Sequence, residues 1–145
     1  MSTEVFVING PNLGRLGQRQ PEIYGRQTIQ DLHEHCARVA TGLGLVVHTF
    51  QSDSLDAIMN LLSKANEQKA DVILNAGSFT HYSYELANSV KSLSVRVVEV
   101  HISNLSKREE FRKKSVLAPV VQGSIAGFGF ESYTLALTYL AGAKT

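Results

Sequence analysis

The sequence predicts a three-layer α/β sandwich around a five-stranded parallel sheet, in one domain over residues 1–145. Five short apolar runs rich in β-branched residues recur along the chain, Val5–Ile8, Leu45–Phe50, Val72–Leu74, Val95–Val100 and Val120–Ile125. Near-continuous apolar runs suit strands covered on both faces. Segments with apolar residues three and four apart lie between them, so strands and helices alternate. Five strands and right-handed crossovers favour the flavodoxin-like order 2-1-3-4-5, with helices on both faces.

Each helix has its own pattern. Ile29, Leu32, Cys36, Val39, Ala40 and Leu43 form one stripe, with Thr28 and Asp31 resembling a capping box and Gly44 closing it. Leu55, Ile58, Met59, Leu62 and Ala65 form a second, capped by Asp53 or Ser54. Leu86, Val90 and Leu93 mark a third. Ser106 to Lys114 reads as one short charged helix, and Tyr133, Ala136, Leu137 and Leu140 mark the last. No repeat or linker divides the chain.

Composition narrows the function classes. The chain has 145 residues, 43% hydrophobic and 19% charged, which fits one globular domain without staples. The formal charge of +1 asks for neither nucleic acid nor an anionic membrane. One cysteine, Cys36, excludes an intrachain disulfide and suits a reducing compartment. The start lacks a signal-peptide pattern and no run approaches a membrane span, so a cytoplasmic protein is expected.

Ligands of open parallel sheets bind outside the carboxyl ends of the strands, at the switch point between the first and third. Asn9, Gly10, Pro11 and Asn12 follow the first expected strand. Asn75 to His81 follow the third, and Glu99 to Asn104 end the fourth. His101 stands two residues after Glu99, so both side chains share a face and the carboxylate can orient or charge the imidazole. The same position suits a histidine that merely caps a sheet end. His81 opens an expected helix, as cap or ligand contact. Ile102, Ser103 and Asn104 precede a short helix, whose N–H groups favour an anion. His33, His35 and His48 are expected to be solvated. No histidine spacing or cysteine pair suggests a metal.

About nineteen residues, Asn9 to Gln27, join the first strand to the first helix, where 2–6 are usual. Such a length marks a functional lid. It carries Arg15, Arg19 and Tyr24. A tyrosine is a poor base at neutral pH, and a nearby guanidinium favours its phenolate. The same residues also read as an exposed arginine and a packing tyrosine.

Four dispersed motifs carry a resemblance. They are Asn9-Gly-Pro-Asn-Leu13 with Leu16-Gly17, Arg19 and Pro21-Glu-Ile-Tyr-Gly25; Ile73-Leu-Asn-Ala-Gly77 with Thr80-His81; Glu99-Val-His-Ile-Ser-Asn104 with Arg108-Glu-Glu-Phe-Arg112; and Gly127-Phe-Gly129 with Tyr133 to Leu140. In this order and spacing the chain resembles the type II 3-dehydroquinate dehydratases over essentially its whole length. The resemblance implies dehydration of 3-dehydroquinate to 3-dehydroshikimate with no cofactor, metal or Schiff base. It implies Tyr24 as the base that removes the C2 proton, Arg19 as the group that lowers its pKa, and Asn12 as holder of a water on the enolate oxygen. His101 becomes the acid for the C1 hydroxyl, tuned by Glu99. Asn75 and the backbone at Ile102 and Ser103 would bind the substrate carboxylate, and His81 and Arg112 the ring hydroxyls. Trimers assembled into a dodecamer are also implied.

Several positions depart from the family pattern. Gly14-Arg15 stands where Asn-Leu is common, Gln20 where Glu is common, and Ser78, Phe79, Tyr82 and Tyr84 differ near His81. Asn88 takes the place of an Asp that usually reaches a neighbouring subunit. Two other functions remain open at this point: an impaired homologue that binds the cyclic acid without turnover, and a flavodoxin-like module for a flavin or nucleotide phosphate. The first loop has neither a Walker nor a GxGxxG pattern, and the chain has no Trp.

Overall fold

A computed structural model describes residues 3–18 and 26–142. Five parallel strands form one sheet: β1 (Thr3–Asn9), β2 (Leu45–Gln51), β3 (Asp71–Asn75), β4 (Val97–His101) and β5 (Gly123–Ala126). Their order is β2-β1-β3-β4-β5, as the sequence predicts. Every residue of β3 and β4 is buried, which is why their runs read as near-continuous apolar stretches.

Strand alternation sorts the core into two layers. Val5, Val7, Ile73, Val98 and Val100 face α1 (Ile29–Leu43) and α5 (Glu131–Ala141), packing on Leu32, Cys36, Tyr133 and Leu137. Phe6, Ile8, Val72, Leu74 and Val97 face α2 (Leu55–Glu67) and α3 (Tyr84–Lys91), packing on Ile58, Leu62, Leu86 and Val90. Each fully buried side chain of this size contributes about 1.5–3 kcal/mol. Cys36 is completely buried, and desolvation pushes its thiol up to about 12.

The caps explain where helices begin. Thr28 and Asp31 form a reciprocal capping box, at 3.1 and 2.9 Å, and Gly44 closes α1 with φ 73°. Ser54 caps α2 through Ala57 N–H at 3.2 Å, while Asp53 serves elsewhere. Ser83 caps α3. His81 therefore does not open that helix. It ends a 3-10 turn over Gly77–His81.

Other boundaries also move. The run Ser106–Lys114 is not one helix but a 3-10 turn, Leu105–Lys107, followed by α4 (Glu110–Lys113). Neither piece buries a residue, so no apolar stripe holds them in one helix. The fourth strand starts at Val97, because Asn66 Oδ1 takes the N–H groups of Ser94 and Val95. The fifth starts at Gly123, because Pro119 lies in a 3-10 turn over Ala118–Val120. His33 and His35 are partly buried rather than solvated, since α1 packs against α5. His35 Nε2 lies 2.7 Å from Thr134 Oγ1. His48 is exposed and meets Glu4 at 2.8 Å. Among the described residues no helix is long and apolar enough to cross a membrane, and no cluster of His, Cys, Asp or Glu has the makings of a metal site.

Candidate active site

The ends of β1, β3 and β4 meet at one pocket because two glycines let the loops touch. Gly10 N–H donates to the Asn75 carbonyl at 2.7 Å, and a Cβ on Gly10 would sit 2.7 Å from the Ala76 carbonyl. Gly77 has φ +59°, and a Cβ there would sit 2.9 Å from the Pro11 carbonyl. Beyond Gly10 the chain turns sharply. Asn12 adopts the left-handed conformation, φ 68°, which Asn tolerates better than most residues. Its N–H donates to Asp53 Oδ1 at 3.0 Å. Gln51 braces the same loop, donating to Asp53 Oδ1 and to the Gly10 carbonyl, both at 3.1 Å. Asn12 lines the pocket.

On β4, Glu99 and His101 share a face as their spacing predicts. His101 Nε2 lies 2.6 Å from Glu99 Oε2. Glu99 is 1% exposed and accepts two further bonds: from Ser115 Oγ to Oε2 at 2.8 Å, and from Ser124 Oγ to Oε1 at 2.9 Å. Burial alone would push this carboxyl up. The bond and charge of His101, with the two hydroxyls, outweigh it and hold Glu99 below the ordinary carboxylate range. Glu99 is therefore an ionised anchor for His101, whose ring lines the pocket.

Asn75 anchors a second buried network. The Gly77 N–H can only donate, so the atom facing it at 3.3 Å is Asn75 Oδ1. Asn75 Nδ2 then faces Tyr133 and donates to its hydroxyl at 2.9 Å. The Tyr133 proton goes to Asn9 Oδ1 at 2.6 Å. Asn9 Nδ2 in turn points to His33 Nε2 at 3.5 Å, a long contact in which the ring nitrogen must accept. Burial lowers the His33 pKa, which agrees with a neutral ring. Asn9 and Tyr133 are completely buried, and burial pushes the Tyr133 phenol far up, keeping it protonated.

Three arginines line the same pocket: Arg15, Arg108 and Arg112. Arg108 Nη1 donates to Ser103 Oγ at 3.2 Å. Arg112 Nε lies 2.6 Å from Glu109 Oε2, close as an ion pair but without hydrogen-bond geometry. Its guanidinium stacks 4.9 Å from the Phe111 ring centre. His81 donates from Nδ1 to the Lys114 carbonyl at 2.7 Å and lines the pocket beside them. Among the described lining residues there is no carboxylate. The near-neutral chain thus gathers three guanidinium groups at one concavity, with Glu109 paired to one of them.

The pocket brings together Asn12, Asn75, His81, His101, Ile102, Ser103 and Arg112, with Glu99 behind His101. Arg19, Gln20 and Tyr24 lie outside the described residues. Asn88 is exposed on α3.

Comparison with known proteins decides the family. The family model for class II dehydroquinases matches residues 3–141. The chain belongs to the class II dehydroquinase family. Its relatives include a 3-dehydroquinate dehydratase of Bacillus pumilus, 50% identical over 93% of this chain and 92% of that protein. Another, of Bacillus licheniformis, is 45% identical over 93% of each. The crystal structure of type II dehydroquinase from Propionibacterium acnes superposes with a TM-score of 0.94 at 42% identity, over 97% of each chain.

Reading this dehydroquinase-family chain from sequence misses several site groups. Arg108 sits within a charged run that resembles a solvated surface. Ser115 and Ser124 reach Glu99 from 16 and 25 residues away, with no periodic signal. Tyr133 reads as part of an apolar helix stripe. The one hint was Asn9, a polar residue ending an apolar strand.

Proposed function

We propose that the chain dehydrates 3-dehydroquinate to 3-dehydroshikimate through an enolate. Its family membership supports the reaction, and the observation that carries the reading is a pocket with three guanidinium groups and a histidine backed by a buried carboxylate. A carboxylate substrate suits that charge. The Tyr24 phenolate, favoured by Arg19, takes the proton from C2. A water held by Asn12 stabilises the enolate oxygen. The enolate then re-forms a double bond as the C1–O bond breaks, and His101 protonates the leaving hydroxyl, which departs as water. Asn75 and the backbone of Ile102 and Ser103 receive the substrate carboxylate, while His81 and Arg112 take the ring hydroxyls. Side chains, two backbone groups and one bound water supply every role in this scheme, with no cofactor.

The proposal extends to a cytoplasmic enzyme working in aromatic biosynthesis or quinate breakdown, as trimers assembled into a dodecamer. Purified protein mixed with dehydroquinate should develop the ultraviolet absorbance of a conjugated enone, undiminished by chelators or borohydride. Binding without product would leave only the impaired-homologue reading. Flavin copurifying with the protein would revive the flavodoxin-like module. The mass in solution tests the assembly.

A further inference from the structure

We infer that Tyr133 is a positioning residue for substrate binding, fixing the Asn75 amide so that it presents a donor to the pocket. The inference rests on the reading of Asn75 as a contact of the substrate carboxylate. A side-chain amide offers a donor end and an acceptor end of nearly the same shape. Only a donor end suits a carboxylate. What chooses the end is the pair of partners behind it.

Those partners are one N–H and one hydroxyl. Gly77 N–H takes Oδ1 at 3.3 Å, a long bond that alone holds the amide weakly. The hydroxyl of Tyr133 supplies the stronger constraint. It has a single proton, already committed to Asn9 Oδ1 at 2.6 Å, so toward Asn75 it can only accept. Nδ2 therefore stays on Tyr133 at 2.9 Å, and no described residue takes its second hydrogen. Asn75 is 4% exposed and lines the pocket, so that hydrogen is available to a ligand and to little else. Tyr133 itself does not line the pocket and touches no substrate. It acts through Asn75, from α5, across the sheet's carboxyl end.

A double-mutant cycle tests this. Tyr133→Phe keeps the ring and removes only the hydroxyl. It should raise KM for dehydroquinate about tenfold, with kcat within about twofold. In an Asn75→Ala background the same change should cost no further KM, because the amide it positions is gone. An equal cost in both backgrounds, or a fall in kcat alone, would overturn the inference. A merely structural role would lower thermal stability without this dependence on Asn75. Asn9→Leu provides a second route if Tyr133→Phe folds poorly. It removes the acceptor, frees the tyrosine proton to turn toward Asn75, and should give the same KM-selective loss. A crystal structure of Tyr133→Phe should show the Asn75 amide rotated or in two orientations, and an unmoved amide would count against the inference. That readout needs no substrate. Absence of turnover in the parent protein would sink the proposed function, while the structure would still decide the role of Tyr133.

Discussion

Ser124, on the edge strand β5, stands in register opposite Glu99 on β4 and donates its hydroxyl to Glu99 Oε1 at 2.9 Å. An edge strand with little else to bury thus helps to hold the carboxylate behind His101 ionised. Removing the hydroxyl withdraws one of the three donors that depress Glu99. In Ser124→Ala the Glu99 pKa should rise, and the acid limb of kcat/KM should move to higher pH. Activity at mildly alkaline pH should be nearly retained. A pH profile of the variant beside the parent is the check, and an unmoved acid limb would contradict it.

Glu99→Gln tests the charge rather than the bond. The amide still reaches His101 but cannot stabilise an imidazolium. The expected loss is about 10²-fold or more in kcat, with KM changed little, because in the proposed scheme His101 serves the leaving group and not the substrate carboxylate. Steady-state kinetics on the variant separate the two.

His33 makes stability depend on pH. Its folded pKa is lowered from 6.5, so the unfolded chain takes up a proton more readily than the fold does. The contribution is intact above about pH 6.5 and declines as pH falls from there through the folded value. His33→Gln, whose carbonyl can still accept from Asn9 Nδ2, should flatten that decline. Urea midpoints across the acid range, compared with the parent, measure the difference.

Two glycines should respond with opposite signs to the same substitution. Gly10→Ala drives a methyl to 2.7 Å from the Ala76 backbone and should cost about 1–3 kcal/mol. It should also lower kcat/KM, since it spreads the loops bearing Asn12 and Asn75. Gly42, within α1, has nothing within 4 Å of an added Cβ. Gly42→Ala should stabilise by about 0.5–1 kcal/mol with activity unchanged. Urea unfolding and initial rates on both variants are sufficient.

Legibility in the sequence followed the length scale of each interaction. Strand order and the two core layers could be read because burial on both faces leaves a dense apolar run, as in β3 and β4. The Thr28–Asp31 box and the Glu99–His101 pair could be read because their partners lie three and two residues apart. Boundaries set by a distant side chain could not. Asn66 ends the turn before β4 from nearly thirty residues away. The Asn9–Tyr133 bond spans 124 positions and leaves no local trace beyond a polar residue at the end of β1. Ser115 and Ser124 were invisible for the same reason. The split of the charged run into two pieces reflects a missing signal, since no apolar stripe bound it to the core.

Cys36 has a consequence for anyone wishing to watch this enzyme work. A thiol raised from 9.0 to about 12 carries roughly a thousandfold less thiolate at neutral pH than an ordinary one, and it sits on the buried face of α1 with no exposed surface. Maleimide and iodoacetamide reagents should pass it by while the fold is intact. A single cysteine introduced at an exposed position such as Ser106 would then be the reactive sulfur of the chain, with no need to delete the native one. The protein is in this sense already prepared for site-directed spectroscopic labelling, and unmasking of Cys36 would itself report unfolding.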